Sequence, residues 1–154
     1  MNATRLLHPD FVRTDVVASS ATELLRSMAE ELRQRGTVKD SFADALLARE
    51  EKFPTGLPTA PIGVAIPHTD VEHVNESFVS VARLDQPIAF HQMGANEQTV
   101  EVSLVVMLAL ADSAAQLPML QSLIGMFSDA ATMSAIVEAK GSRELHDVFA
   151  ATIS

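Results

Sequence analysis

The 154-residue chain contains no cysteine, no tryptophan and no tyrosine. Without cysteine, neither disulfides nor thiolate zinc sites can form, and the composition suits a cytoplasmic location. Without tryptophan and tyrosine, a surface that stacks sugars or nucleobases is not expected. Basic residues are scarce. Eleven Lys and Arg face 20 Asp and Glu, for a formal net charge of -9. Such a chain repels a phosphate backbone, so no nucleic-acid partner is expected, whereas a basic protein partner would be attracted. Long apolar runs are also missing. The longest, Val102 to Ala111, is interrupted by Ser103 and is too short to cross a bilayer. The first residues lack the basic and apolar regions of a secretory signal, so none is expected. The phosphate-cradling and dinucleotide-binding glycine motifs and the nucleophile elbow are absent as well. The length suits one domain over residues 1–154, large enough to bury a core.

The local patterns predict alternating layers. Ser20 followed by Glu23 forms a capping box for a helix over Ala21 to Arg35, in which Glu23 reaches back to its cap. Leu24, Leu25, Met28 and Leu32 share one stripe, and Gly36 terminates the helix. A second helix is predicted over Ser41 to Glu51, capped by Asp40, with Phe42, Ala45 and Leu46 inward. The stretch FPTGLPTAP holds three prolines and a glycine and is predicted to be a loop. Strands are predicted at Gly63 to Ile66, Phe78 to Leu84, Ile88 to Phe90 and Val100 to Leu110. Turns at Pro87 and at Gly94 to Glu97 would separate the last three. From Gln116 a helical stripe of Leu117, Leu120, Leu123, Ile124 and Phe127 follows. Two shorter helices are predicted over Ala131 to Ala139 and Arg143 to Ala150, the latter capped by Ser142. This order implies an α/β fold with α+β-like layers: a mixed sheet flanked by helices.

The chemistry concentrates in GVAIPHTD, Gly63 to Asp70. A buried strand runs into Pro67, which fixes its own φ and biases Ile66 towards extended geometry. His68 is therefore carried on a rigid strand exit, as a reacting group requires. A neutral imidazole is a competent nucleophile near neutral pH; the alternative is an inert, hydrogen-bonded turn histidine. A phosphoryl acceptor would need a guanidinium fork or backbone N–H groups nearby. Arg49, 19 positions earlier across the proline-rich loop, could supply the fork. It could equally be a solvated helix-end arginine paired to Glu50 or Glu51. His68, Asp70, Glu72 and His73 offer metal-ligand chemistry, but two histidines five apart do not share a helix face, so no metal is expected. His8, His91 and His146 are isolated, and the methionines are read as core packing.

The stretch AREEKFPTGLPTAPIGVAIPH, Ala48 to His68, resembles the sugar phosphotransferase system enzyme IIA family of the mannitol/fructose type. The likeness rests on an arginine at a helix end, a Thr-Gly loop and an apolar strand ending in Ile-Pro-His. It extends from about Phe11 through Phe149, and the FPTGL loop with His73 is most similar to the galactitol-type branch. The resemblance implies a roughly five-stranded mixed sheet flanked by helices. It implies a phosphoryl group accepted on His68 from the phosphohistidine of the carrier HPr, steadied by Arg49, and passed to enzyme IIB of a sugar or polyol permease. No cofactor is implied. One departure stands out: mannitol-type members carry a second active-site histidine after the long central strand, where this chain has Gln116. Either Gln116 serves as a neutral hydrogen-bond donor, or His73 replaces the missing histidine. Thr69 stands where many members have glycine; its hydroxyl either bonds a phosphoryl oxygen or caps the next turn. Asp70 is read as a turn residue facing away from the site, since a carboxylate beside a dianion is unfavourable. The rival reading is a regulatory relative that signals by its phosphorylation state without moving sugar. A metal-dependent hydrolase is a third.

Overall fold

The computed structural model describes residues 6–153. Its elements are β1 (Val12–Val16), α1 (Ala21–Arg35), α2 (Phe42–Lys52), β2 (Gly56–Leu57), β3 (Gly63–Ala65), β4 (Phe78–Gln92), β5 (Ala95–Ala109), α3 (Ser113–Phe127), α4 (Ala130–Glu138) and α5 (Ser142–Thr152). The strands form one mixed five-stranded sheet. β4 and β5 make a long antiparallel hairpin, β1 lies parallel to β4, and β3 lies parallel to β5. β2 pairs antiparallel with β3 and meets the end of β4 at Gly56↔Gln92.

The side-chain alternation of the hairpin divides the core. Val79, Val81, Leu104, Val106 and Leu108 face one way, towards α3, α4 and α5, where Leu123, Phe127, Ile136 and Phe149 cover them. Phe78, Ala82, Val102, Val105 and Met107 face the other way, towards Leu25, Leu32, Phe42 and Leu46 of α1 and α2. β5 is thus covered on both faces, which explains its continuously apolar second half.

The predicted cap of α1 is present: Ser20 Oγ accepts from the Glu23 N–H at 3.1 Å, and Gly36 ends the helix at φ 86°. Glu23 reaches one residue further than expected, to the Ser19 N–H and hydroxyl. Asp40 does not cap α2. The cap position is Ser41, without a side-chain bond, while Asp40 lies 3.5 Å from Arg33.

Several expectations are corrected. No turn separates two strands at Pro87. β4 continues through it, and the pairing steps from Arg83↔Leu104 to Ile88↔Val102. Residues 84–87 therefore bulge opposite Ser103, which is where a strand tolerates a residue without an N–H. The hairpin turn is Met93-Gly94, with Gly94 at φ 75°, and Ala95 to Glu97 already belong to β5. The proline-rich loop contains β2, because Gly56 lies against the sheet end; a Cβ there would sit 2.5 Å from the His91 carbonyl oxygen. β1 was not foreseen. α3 starts at Ser113 under an Asp112 cap, and Leu117 and Ile124 face outward, not inward. α5 begins after Gly141, with Ser142 inside the helix and not capping it. The guanidinium of Arg83 donates to the carbonyls of Ile136 and Ala139, both at 2.8 Å, and so caps the end of α4.

Candidate functional site

His68 leaves β3 at the C-terminal end of the parallel pair β3–β5. The Leu108 N–H donates to the Pro67 carbonyl at 3.0 Å, and His68 bridges to Leu108. The proline ends the strand without releasing it from β5. The half-buried imidazole then turns back on its own chain, with Nδ1 2.8 Å from the Ile66 carbonyl oxygen. A carbonyl can only accept, so Nδ1 carries the proton and Nε2 carries the lone pair. Burial is the main cause that pushes the His68 pKa down, and the Arg49 guanidinium adds to it, while the Ile66 carbonyl and Asp70 oppose. The ring is therefore neutral, with one free nucleophilic nitrogen.

Arg49 belongs to the last turn of α2. Its guanidinium lies 3.4 Å from the Asp70 carboxylate and over the Phe53 ring, 5.0 Å from the centroid. It is not paired to Glu50. Glu50 turns inward instead, where its carboxylate accepts the Thr55 N–H and hydroxyl, each at 2.8 Å. The Thr55 oxygen in turn accepts the Ile66 N–H at 3.1 Å. This chain connects α2 to the strand that carries His68. Burial pushes the Glu50 pKa up, against the opposing pull of the two Thr55 bonds and of His91. No sequence signal pointed to the Glu50–Thr55–Ile66 chain, because its two links span five and eleven residues and close only in the fold.

Asp70 faces Arg49, contrary to the expectation that it turns away. Gln116, in the second turn of α3, donates its amide to the Thr69 carbonyl at 2.9 Å. It thereby holds the Thr69–Asp70 peptide, one residue past the histidine. Thr69 itself is buried. The His73 ring bonds the Ser41 hydroxyl at 2.8 Å and lies 3.8 Å from Glu72, so its contacts are with the start of α2. The structure thus brings together His68, Arg49, Asp70, Thr69 and Gln116. Two large apolar side chains near these residues in the chain are exposed: Phe53, beneath the Arg49 guanidinium, is 54% exposed, and Leu117, the residue after Gln116, is 63% exposed.

Among the described residues, no group of three or more His, Asp or Glu is arranged to hold a metal ion, and no single helix is long and apolar enough to cross a membrane. A groove of about 640 Å³ lies between α1, α2 and Ala89–His91. His68 is not among its lining residues.

Residues 5–152 match the family described as phosphoenolpyruvate-dependent sugar phosphotransferase system, EIIA 2, and the chain belongs to that family. Among curated relatives, it is 33% identical over 115 residues to the galactitol-specific EIIA component of Escherichia coli K12, covering 75% of this chain and 76% of the relative. Solved structures show the same fold. The mannitol-specific cryptic phosphotransferase enzyme IIA CmtB from Escherichia coli superposes with a TM-score of 0.76 at 16% identity, over 98% of this chain and 99% of that one. Enzyme IIAMtl in its complex with phosphorylated enzyme IIBMtl, also from Escherichia coli, gives 0.70 at 20% identity, over 98% and 97%.

Proposed function

We propose that the chain is a single phosphoryl-carrying domain that works in the cytoplasm. It accepts a phosphoryl group from the phosphohistidine of HPr onto Nε2 of His68 and passes it to enzyme IIB of a polyol permease. The observation that carries this reading is the His68 ring itself. Its Nδ1–H is committed to the Ile66 carbonyl, which leaves Nε2 as the one nucleophilic atom. In the transfer, the N–P bond of the donor histidine breaks as the Nε2–P bond forms. The proton on Nδ1 stays in place. As the ring gains positive character, the bond to the Ile66 carbonyl strengthens, and no general base is needed.

Arg49 supplies the planar fork for the oxygens of the group in flight. Gln116, rather than His73, supports the site. By holding the Thr69 carbonyl it fixes the Thr69–Asp70 peptide, one residue past His68, and it adds no charge. Thr69 serves through its backbone. The exposed rings and chains of Phe53 and Leu117 offer the apolar contact by which two different partners dock in turn. The acidic surface suits a basic partner.

A galactitol-like permease is the preferred recipient, on the likeness to the galactitol-specific component. Incubation with phosphoenolpyruvate, enzyme I and HPr should load the chain, and addition of a galactitol-type enzyme IIB should then unload it. Loading that no permease IIB can unload would favour the regulatory reading.

A further inference from the structure

We infer that Asp70 is a positioning residue that competes with the phosphoryl group for Arg49 and so keeps the relay reversible. This rests on the reading of His68 as the phosphoryl carrier. Three observations support it. The Asp70 carboxylate lies 3.4 Å from the Arg49 guanidinium and is the acid paired with it in the free protein. The backbone that presents Asp70 is fixed on both sides: its carbonyl accepts the His73 N–H at 3.3 Å, and the Thr69 carbonyl before it is held by Gln116. Both charges act on the His68 ring, with opposite signs.

The consequence follows from charge. A carrier must bind its cargo firmly enough to load and loosely enough to unload. An arginine facing a phosphoryl dianion with no competitor would hold the loaded state too well. In the free protein Asp70 occupies the guanidinium and orients it over Phe53, beside the nucleophile. In the loaded protein the guanidinium turns to the phosphoryl oxygens, and Asp70 is left as an unneutralised negative charge near a dianion. Its side chain is 67% exposed, so the repulsion is moderated by water. At this exposure, one negative charge against a dianion shifts an equilibrium by roughly 3- to 10-fold.

The test is the distribution of phosphoryl groups at equilibrium between HPr and this chain, measured for the wild type, Asp70→Asn and Asp70→Glu at low and high salt. Asp70→Asn should raise the loaded fraction relative to HPr about 3- to 10-fold at low salt and slow unloading by a comparable factor. The difference should shrink in high salt, and Asp70→Glu should behave like the wild type. A residue that only stabilised the turn would change both transfer rates and leave the equilibrium alone. Loading of the wild type on His68 with an unchanged or lower ratio in Asp70→Asn overturns this inference and spares the relay. A wild type that cannot be loaded on His68 overturns both.

Discussion

Thr55→Val removes one oxygen and keeps the side-chain shape. Thr55 is buried, and its hydroxyl donates to the Glu50 carboxylate at 2.8 Å while accepting the Ile66 N–H at 3.1 Å. Valine leaves the Ile66 N–H buried without a partner, which costs about 1–3 kcal/mol, and it deletes a bond to a carboxylate worth about 1.5–3 kcal/mol. The Thr55 N–H bond to Glu50 survives, so the loop keeps its anchor. The two losses overlap, because Glu50 can recruit water from the adjoining groove. A net loss of about 2–5 kcal/mol is expected. With a urea m-value of ~2 kcal/mol/M, the midpoint should fall by about 1–2.5 M without a change in m. Phosphoryl acceptance should slow as well, because Ile66 both loses its N–H partner and provides the carbonyl that fixes the His68 ring. A midpoint within about 0.3 M of the wild type would refute the chain from Glu50 through Thr55 to Ile66 as a structural link.

Arg49→Lys keeps the charge but loses the fork, so transfer from phospho-HPr should slow on the order of 10-fold or more, while thermal stability is nearly unchanged; equal rates would return Arg49 to a helix-end role. Gln116→Ala removes a neutral bond to the Thr69 carbonyl worth about 0.5–1.5 kcal/mol, so loading should slow between a few-fold and about tenfold, and His73→Ala should affect loading less. The His68 pKa is pushed below its ordinary value, so loading should persist at pH 6.5, where half of a free imidazole would already be protonated. For the same reason His68 contributes stability above about pH 6.5 that is lost as pH falls through the folded pKa, a dependence that urea titrations of the wild type and His68→Gln should separate.

What the sequence made legible is what depends on neighbours in the chain. The α1 cap and its stripe follow from residues three and four apart, and the strand exit at Ile66-Pro67-His68 is local as well. Pro87 misled because a proline stops a strand only where its missing N–H faces a ladder partner; here it lies in a bulge. Leu117 and Ile124 fit a helical stripe by spacing, yet α3 buries a narrower face and leaves both exposed. Asp70 could be judged from sequence only as a charge unwelcome near a phosphoryl group. Its pairing with Arg49, 21 residues earlier, needed the fold. The Glu50–Thr55–Ile66 chain and the Arg83 cap on α4 were invisible for the same reason.

The central claim is that Nε2 of His68 carries the phosphoryl group because Nδ1 is held by the Ile66 carbonyl. The direct measurement is nitrogen-15 NMR of histidine-labelled protein before and after loading from phospho-HPr, with each ring assigned by His68→Gln and His73→Gln. The free protein should show a neutral His68 ring protonated at Nδ1. After loading, phosphorus should couple to Nε2 of that same ring, with the Nδ1 proton retained. Phosphorus on Nδ1 of His68, or on His73, would contradict it.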